Sequence, residues 1–495
     1  MNISATALAL AVSLFMPGIQ SSRAGSATWN LNPPRSYWNF ATDWTPATVP
    51  NGPNDTATFR VSNTTDVIVE ASNLFEVNGI VFDAGAGGFT ITVFSDNFLN
   101  GFLTIGGTGI TNNSGVIQNF VADFNASTQA VGVIKFINSA TAGALTVFNN
   151  NESNTQFFDT ASAGSGTFNN NPGHLYTGDT FFFDRATAKN ATIISNGSLP
   201  GAPFLGGLTM FQNEATAGNA TLIAYSGLAG GIGGSILFFN DSTGGTARVQ
   251  VVGNGNVDIS GHNAPGVTIG SIEGSGRAYL GSNNLTVGTN NLDTTFSGTI
   301  DGSGSLTKIG SGTLVLSRPN RYTGGTIVEN GKLAADNVVG SATGTGPVHV
   351  NAGTFGGRGT IAGAVVVGTG RGPGAVLTPE KPASGPDVLI VQSALTFNSD
   401  AIYEVGLKTK GAIAGKTVAN GVTIQSGASF SLLVHQHHCV LRAGTVLTVL
   451  ENTAETPIAG VFSNLPDGST FTVGLNTYKV GYEGGNGNDL TLTVE

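Results

Sequence analysis

Residues 302–333 read GSGSLTKIGSGTLVLSRPNRYTGGTIVENGKL, and this stretch decides the fold. Successive side chains of a β-strand point to opposite faces, so Leu314 and Leu316 lie together on one face of a short strand. Gly324-Gly325 and Asn330-Gly331 supply the positive φ angles that tight turns require. The stretch therefore predicts short strands joined by tight turns.

The composition of the whole chain favours the same kind of structure. Gly accounts for 73 of 495 residues, about twice the average share of ~7%. Charged residues are only 10%, whereas hydrophobic residues make up 40%, which argues against disorder. Such a chain favours strands over helices, because the surface residues typical of helices are scarce.

The net charge of −10 makes nucleic acid an unsuitable partner, because phosphate binding needs clustered Lys and Arg. The chain has one cysteine, Cys439, so an intrachain disulfide is excluded. Stability must therefore come from hydrogen-bonded ladders and packing.

An irregular internal repeat runs from about residue 101 to 253. Each copy has an aromatic residue, a few polar residues, a small-Thr-Ala-Gly segment and a β-branched strand. The copies align on Gly143, Gly164, Lys189, Gly218 and Gly245, in steps of 21, 25, 29 and 27 residues. A period of 20 to 30 residues indicates stacked units that bury one continuous core, and no window has helical periodicity. The sequence predicts an all-β, right-handed parallel β-helix.

Two asparagines recur in register within this repeat, Asn190 and Asn219. Stacked Asn side chains can form a hydrogen-bonded ladder along a β-solenoid. The alternative is that both are simple turn residues.

Residues 306–333 resemble a known family, the autotransporter-associated β-strand repeat, also called the passenger-associated transport repeat. The matching motifs are Leu306-Thr307-Lys308, Gly312-Thr313-Leu314, Asn320, Tyr322-Thr323-Gly324-Gly325-Thr326 and Gly331 with Leu333. Arg318-Pro319 departs from the family pattern, which has Gly there, and we expect one altered turn. The resemblance implies a β-helical passenger on or outside a bacterial cell, without implying an activity. We expect this chain to lack the C-terminal translocator barrel.

The N-terminus predicts export. Residues 7–16 are an apolar run too short to span a bilayer, and Ser22-Arg23-Ala24 resembles a cleavage site, so residues 1–24 are predicted to be a signal peptide cleaved after Ala24. No transmembrane segment is expected in the mature chain, which is predicted to be secreted or on the cell surface.

We divide the mature chain into an N-terminal cap (25–100), degenerate solenoid repeats (101–300), the family repeat (301–340) and a β-rich C-terminal region (341–495). Trp29, Trp38 and Trp44 fall in the cap. Such a cluster either packs the core of the cap or stacks on sugars.

Three short motifs suggest ligand chemistry, and we assign none of them a site. Residues 484–492 match one copy of a calcium-binding nonapeptide, but one copy supplies too few oxygens. His435, His437 and Cys439 would share one face of a strand, whereas a closed zinc site needs four ligands. Residues 411–417 are one residue short of a phosphate-binding loop.

Some β-helix proteins cleave polysaccharides with paired carboxylates. Asp179, Asp184 and Asp241 lie in predicted loops, and nothing in the sequence marks a pair among them. We therefore predict no catalytic, cofactor-binding or metal-binding residues and no cofactor. The sequence predicts a non-catalytic exported protein with a structural, cell-surface or adhesin-like role. The alternatives are a carbohydrate-binding adhesin module, with cell-surface or extracellular polysaccharide as partner, and a polysaccharide lyase or hydrolase.

Overall fold

The protein is described here by a computed structural model that covers residues 25–70, 74–201, 206–379, 387–435 and 439–495. These residues form 46 β-strands and two short 3-10 helices, Ala41–Asp43 and Leu228–Gly230. The strands stack into a β-solenoid of about 15 turns with mostly parallel pairing, which confirms the predicted all-β parallel β-helix. Within the described ranges, no helix is long and apolar enough to cross a membrane. The predicted signal peptide, residues 1–24, lies outside them.

Two sheets form most of the N-terminal half. Sheet 1 contains, in hydrogen-bonded order, Trp44–Thr45, Ala27–Trp29, Gly52–Phe59, Leu74–Phe82, Gly101–Asn112, Ala130–Phe136, Asn154–Phe157, Asp179–Phe182, Leu208–Phe211, Ser235–Phe238, Asn256–Asp258, Arg277–Gly281 and Thr299–Gly302, and Phe124–Asn125 pairs with Ala130–Phe136. Sheet 2 contains Asp66–Glu70, Thr90–Phe94, Gln118–Ala122, Thr146–Asn151, Thr167–Asn171, Thr192–Ser195, Thr221–Ala224, Arg248–Val251 and Ser271–Glu273.

Three sheets form the C-terminal half. Sheet 3 contains Gly266–Ile269, Asn284–Val287, Ser305–Lys308, Thr326–Val328, Val348–Val350, Val365–Val367, Leu395–Phe397 and Val422–Ile424. Sheet 4 contains Thr294–Phe296, Thr313–Leu316, Lys332–Ala335, Gly353–Gly357, Ala375–Pro379, Ala401–Lys408 and Ile413–Ala414, and Ser429–His435 pairs with Ala401–Lys408. Sheet 5 contains Thr360–Ile361, Val388–Val391, Lys416–Ala419, Val446–Asn452, Asp489–Val494, Asn476–Gly484 and Thr470–Val473.

Left-handed backbone forms two corners in five successive turns of the N-terminal half. The first corner follows the strand of sheet 1 and has φ between 55° and 61° at Asn138, Asp159, Asp184, Asn213 and Asn240. Asn and Asp tolerate this conformation better than other side chains. The second corner precedes sheet 2 and has positive φ at Gly143, Gly164, Lys189, Gly218 and Gly245. The predicted alignment of the five copies is therefore confirmed, since these five residues occupy one structural position.

Between the two corners runs a ladder of bridges that joins Thr141, Ser162, Thr187, Thr216 and Thr243. The predicted asparagine ladder is also present, because the Asn219 side-chain amide donates to Asn190 Oδ1 at 3.1 Å. Thr246 continues it by donating to Asn219 Oδ1 at 2.6 Å. Side chains in register thus tie neighbouring turns together.

Stacked phenylalanines fill the core of the N-terminal half. On the inner side of sheet 1, centroid spacings of 4.8–5.0 Å and interplanar angles of at most 12° relate Phe136, Phe157, Phe182, Phe211 and Phe238. This spacing equals the separation of neighbouring strands, about 4.7–4.9 Å. Each ring therefore packs face to face on the ring of the next turn, and all five are fully buried.

A polar network is also buried between sheets 1 and 2. The Asn150 side-chain amide donates to Asn170 Oδ1 at 2.9 Å and to the Asp179 carbonyl at 2.7 Å. Thr155 donates to Asn150 Oδ1, and Thr180 donates to Asn170 Oδ1, both at 2.7 Å. Because buried polar groups are costly unless they are paired, this network fixes the register of the two sheets.

The two ends of the solenoid have antiparallel strands. At the N-terminal end, Ala27–Trp29 pairs antiparallel with Trp44–Thr45. Trp29, Trp38 and Trp44 are buried there, with Trp44 at 5.0 and 4.9 Å from the other two rings. The tryptophans therefore pack the core of this end and are not exposed for stacking on sugars.

At the C-terminal end, the last three strands of sheet 5 pair antiparallel. The predicted domain boundaries stay a prediction.

Candidate functional site

The outer side of sheet 1 carries apolar side chains in the middle of the N-terminal half. Parallel register aligns Phe181, Met210 and Leu237, and their strands point Phe182, Phe211 and Phe238 inward. A second outward row, two residues farther along each turn, includes Phe158, Phe183 and Phe239. We name the outward six residues the outer aromatic face: Phe158, Phe181, Phe183, Met210, Leu237 and Phe239. All six are half-buried.

Two rings of the outer aromatic face stack along the solenoid. Phe158 and Phe183 are 4.8 Å apart with an interplanar angle of 17°. The Lys135 ammonium lies 4.7 Å from the centroid of the Phe158 ring, within the range of a cation–π interaction. The first row is unbroken on three adjacent turns, whereas Gln212 interrupts the second row between Phe183 and Phe239. An outward apolar cluster of this kind is unusual in a soluble protein and marks an interaction site.

A polar pocket of about 230 Å³ adjoins the outer aromatic face at the start of the same strands. We name it the Asp179 pocket. Its lining residues are Asn100, Gln129, Val131, Glu152, Asn154, Tyr176, Thr177 and Asp179. Asn154 and Asp179 are paired neighbours in sheet 1, and Asp179 lies two residues before Phe181 on the same side of its strand. The pocket therefore adjoins the outer aromatic face at Phe181.

Asp179 is the most perturbed acid of this surface. Burial raises the pKa of its carboxyl to about 7. Oδ2 accepts a hydrogen bond from the Thr177 hydroxyl at 2.9 Å, whereas the buried Oδ1 accepts none from the described part of the chain. The carboxyl thus has one oxygen held in place by Thr177 and one buried oxygen that lacks a well-aligned donor in the described part of the chain.

Glu152 and Phe124 position the tyrosine of the pocket. Glu152 Oε2 accepts hydrogen bonds from the backbone amides of Leu175 and Tyr176 at 2.7 and 2.9 Å. The Phe124 ring packs edge-on against the Tyr176 ring at 5.1 Å. Tyr176 nevertheless remains 46% exposed. The loop therefore presents a fixed aromatic ring beside the polar pocket.

The three aspartates singled out from the sequence are not brought together. Asp184 lies in the first corner, where its carboxylate accepts hydrogen bonds from the Asp159 backbone amide and the Asn213 side chain. Asp241 accepts from the Asn263 side chain at 3.0 Å. Both carboxylates are thus used to join neighbouring turns. Only Asp179 lines the pocket, where its acidic neighbour is Glu152.

The glycine-rich motif at residues 484–492 forms the hairpin between Asn476–Gly484 and Asp489–Val494. Asp489 Oδ1 accepts a hydrogen bond from the backbone amide of Asn452 at 3.0 Å. The Asn488 side chain donates to the Ala454 carbonyl at 2.6 Å. These two side chains therefore attach the hairpin to the strand Val446–Asn452 and the residues that follow it.

The other two short motifs lie in sheets 4 and 5. In residues 411–417, Ile413–Ala414 pairs antiparallel with Ala401–Lys408, and Lys416 begins a strand of sheet 5. The Lys416 ammonium forms an ion pair with Glu451 at 2.5 Å, so it is engaged within the fold. His435 ends the strand Ser429–His435, and Cys439 is half-buried. His437 belongs to residues 436–438, which lie outside the described ranges.

Sequence reasoning missed Glu152, Tyr176 and the outer aromatic face. A signal for the face was present in Phe181-Phe182-Phe183, because alternation in a strand must place the outer two rings opposite the middle one. Glu152 carries no comparable signal. Its role depends on a loop that returns to it 23 residues later.

The family-like stretch builds parts of two successive turns. Its strands are Ser305–Lys308, Thr313–Leu316, Thr326–Val328 and Lys332–Ala335. Leu314 and Leu316 are both buried, which confirms that they share the inner face. Positive φ angles at Gly325 (94°) and Gly331 (63°) confirm the turns predicted there.

Polar residues of this stretch bond to neighbouring turns. Asn320 Oδ1 accepts from the Ile300 amide at 2.7 Å, and its side-chain amide donates to the Ala342 carbonyl at 2.6 Å. Tyr322 is fully buried and its hydroxyl lies 2.6 Å from Thr326 Oγ1. The Lys308 ammonium contacts the Ile309 carbonyl at 2.6 Å, and burial lowers its pKa to about 8. The motif is therefore a structural one.

Comparison with known proteins agrees with this geometry. Residues 306–335 match the family model described as Passenger-associated-transport-repeat. The chain is also similar to the Adhesin BmaC autotransporter of Brucella suis biovar 1 (strain 1330), with 36% identity over 119 residues. That match covers 19% of this chain and 4% of the relative, so the chain spans a small part of the relative's length. The resemblance predicted from the sequence is confirmed: the chain carries a repeat of the autotransporter-passenger type.

Proposed function

We propose that this chain is a non-catalytic, exported adhesin that binds extracellular polysaccharide through the outer aromatic face. The observation that carries the proposal is the outward set of four phenylalanines, Met210 and Leu237 on four successive turns. Aromatic rings present a negative face that attracts the C–H groups of a sugar. The similarity to a protein named as an autotransporter adhesin supports a surface role.

The rigidity of the solenoid favours binding without a large entropic cost. The outer aromatic face lies on a hydrogen-bonded sheet whose other side is packed with stacked phenylalanines such as Phe182. Phe158 and Phe183 are also stacked on each other. A preorganised surface loses little conformational freedom when a ligand binds.

Binding of residues 25–495 to an array of neutral and acidic polysaccharides tests the proposal. We expect the wild type to bind at least one polysaccharide and the double variant Phe181→Ser/Phe183→Ser to lose that binding. Tyr279→Ser is the matched control, because Tyr279 is aligned with the Phe181 row several strands farther along sheet 1. Absence of binding to every polysaccharide would overturn the proposal.

One observation favours a second candidate, a polysaccharide-cleaving enzyme. Glu152 and Asp179 line one pocket, and a buried acid with a raised pKa is what a general acid requires. Glu152, however, accepts hydrogen bonds from two backbone amides, and these bonds give it a structural role. Release of reducing ends from the bound polysaccharide, abolished by Glu152→Gln, would replace the adhesin proposal with the enzymatic one.

A further inference from the structure

The Asp179 pocket combines features that the outer aromatic face lacks. Carboxyl, amide, hydroxyl and phenol groups converge in it, and one ring, Tyr176, is held at its edge. The buried Asp179 Oδ1 has no hydrogen-bond partner in the described chain. A buried polar atom of this kind destabilises the folded state unless something bonds to it.

We propose that the Asp179 pocket binds a single uncharged pyranose ring of the polysaccharide. In this arrangement a sugar hydroxyl donates to Asp179 Oδ1, and a face of the ring packs on Tyr176. Asn100, Gln129 and Asn154 offer both donors and acceptors, which matches hydroxyl groups that donate and accept. The inference rests on the proposed function and names its ligand class.

The size and the charge of the pocket favour a single uncharged sugar ring as its ligand. Its volume of about 230 Å³ lies below the roughly 300–1,000 Å³ of pockets for drug-sized ligands, so it suits one ring. Among its described lining residues there is no Lys, Arg or His, whereas two are carboxylic acids. Phosphate, sulfate and uronic acid groups are therefore disfavoured by like charge.

Local contacts hold the pocket in shape before a ligand arrives. Glu152 fixes the backbone of the Tyr176 loop, and Phe124 fixes the tyrosine ring. Asn154 Oδ1 accepts a hydrogen bond from the Gln156 side chain at 2.8 Å, which orients its amide. The site can therefore select among sugars by geometry.

Saturation-transfer NMR with methyl glycosides of glucose, galactose and mannose tests the pocket directly on residues 25–495. We expect at least one glycoside to bind, and Asp179→Ala and Tyr176→Ala each to weaken its affinity by about tenfold, the effect of one lost hydrogen bond or stacking contact. The matched controls are Asp301→Ala, five strands farther along sheet 1, and Tyr225→Ala, a tyrosine outside the pocket that is 40% exposed. Both should leave the affinity unchanged.

The outcomes separate the pocket from the outer aromatic face. If Phe181→Ser/Phe183→Ser abolishes polysaccharide binding while Asp179→Ala and Tyr176→Ala do not change it, the pocket inference is wrong and the proposed function stands. If no glycoside binds the wild type at millimolar concentration, the inference is also wrong. Calcium binding that Asp179→Ala removes, without glycoside binding, would identify a cation site instead. Tyr176→Ala keeps the test decisive if Asp179→Ala fails to fold.

Discussion

Lys189 has the same left-handed backbone conformation as Gly164, the residue at the same corner of the preceding turn. Their φ angles are 52° and 62°. The Asn190 amide donates to the Gly164 carbonyl at 2.9 Å, and the Asn219 amide donates to the Lys189 carbonyl at 2.6 Å. A residue with a Cβ atom thus occupies a corner that four other turns fill with glycine. The corner is set by the stacking of turns, because the local preference of Lys opposes it.

Lys189→Gly should therefore stabilise the protein. A left-handed residue with a Cβ atom costs roughly 1–2 kcal/mol, and the greater freedom of glycine in the unfolded chain offsets part of this, so we expect a gain of about 0.5–1 kcal/mol. Gly164→Ala is the converse variant, and its Cβ atom would lie 2.3 Å from the Gly143 carbonyl oxygen. Urea unfolding midpoints measure both, and a lower midpoint for Lys189→Gly would contradict the interpretation.

Neighbouring phenylalanines on opposite sides of sheet 1 should differ in their effect on stability. Phe182 is fully buried between Phe157 and Phe211, with ring centroids 4.8 Å away on either side. Phe182→Ala should lower the free energy of unfolding by about 3–5 kcal/mol, as expected for a buried aromatic residue. Phe181→Ala should lower it by less than half as much, because Phe181 points outward. Equal losses in urea unfolding would show that both rings are core residues.

The carboxyl of Asp179 should make stability fall as the pH rises. Its pKa is about 7 in the folded protein against an ordinary value of 3.8, so the folded state holds this proton more tightly than the unfolded state. The contribution of this carboxyl to stability is then greatest below pH 4 and is lost between about pH 4 and 7. At about 1.4 kcal/mol for each pKa unit, the loss is at most about 4 kcal/mol.

Asp179→Asn should remove this contribution. The free energy of unfolding of the variant, measured from pH 4 to 8, should rise relative to that of the wild type by up to about 4 kcal/mol. Asp301→Asn, on the same side of sheet 1 but outside the pocket, is the control and should follow the wild type. A constant difference between Asp179→Asn and wild type over this pH range would show that the carboxyl has an ordinary pKa.

The adjacent residues Asn149 and Asn150 should differ in their effect on stability, because Asn150 belongs to the buried polar network and Asn149 does not. Asn150 is fully buried and donates to Asn170 and to the Asp179 carbonyl, whereas Asn149 only accepts from Asn169 on the outer side of sheet 2. Asn150→Ala leaves several buried partners unpaired, at about 1–3 kcal/mol for each group, so a loss of at least 2 kcal/mol is expected. Asn149→Ala should cost under about 1 kcal/mol. Urea unfolding of the two variants checks the difference, and similar losses would contradict it.

Much of the fold could be predicted because its signals are local. The inward positions of Leu314 and Leu316 and the turns at Gly325 and Gly331 follow from strand alternation and turn chemistry. Repeat register left Asn190 and Asn219 open between a ladder and simple turn residues, and their hydrogen bond decided for the ladder. The tryptophan cluster left two readings open, because a sequence shows that aromatic residues are near one another but not whether they are covered. Burial of all three indole rings decided between them.

The candidate site could not be predicted in the same way. Asp179, Asp184 and Asp241 are alike in sequence, yet two of them join turns at corners and only one lines a pocket. That difference depends on which groups approach each carboxyl. The Asp179 carboxyl accepts from Thr177 of its own turn, whereas the Asp184 and Asp241 carboxylates accept from a backbone amide and an asparagine of neighbouring turns.

The sequence by itself determined the period, the strand alternation and the turn residues, because these depend on contacts within one turn or between equivalent positions of adjacent turns. The three-dimensional structure was needed to show that Phe181 and Phe183, and not Phe182, face outward, that Glu152 fixes the loop carrying Tyr176, and that the carboxyl of Asp179 is buried. These features depend on how turns of unequal length stack, so that a loop of one turn covers the strand ends of another. Burial, and with it the pKa of an acid, is a property of that stacking and has no counterpart in the order of residues.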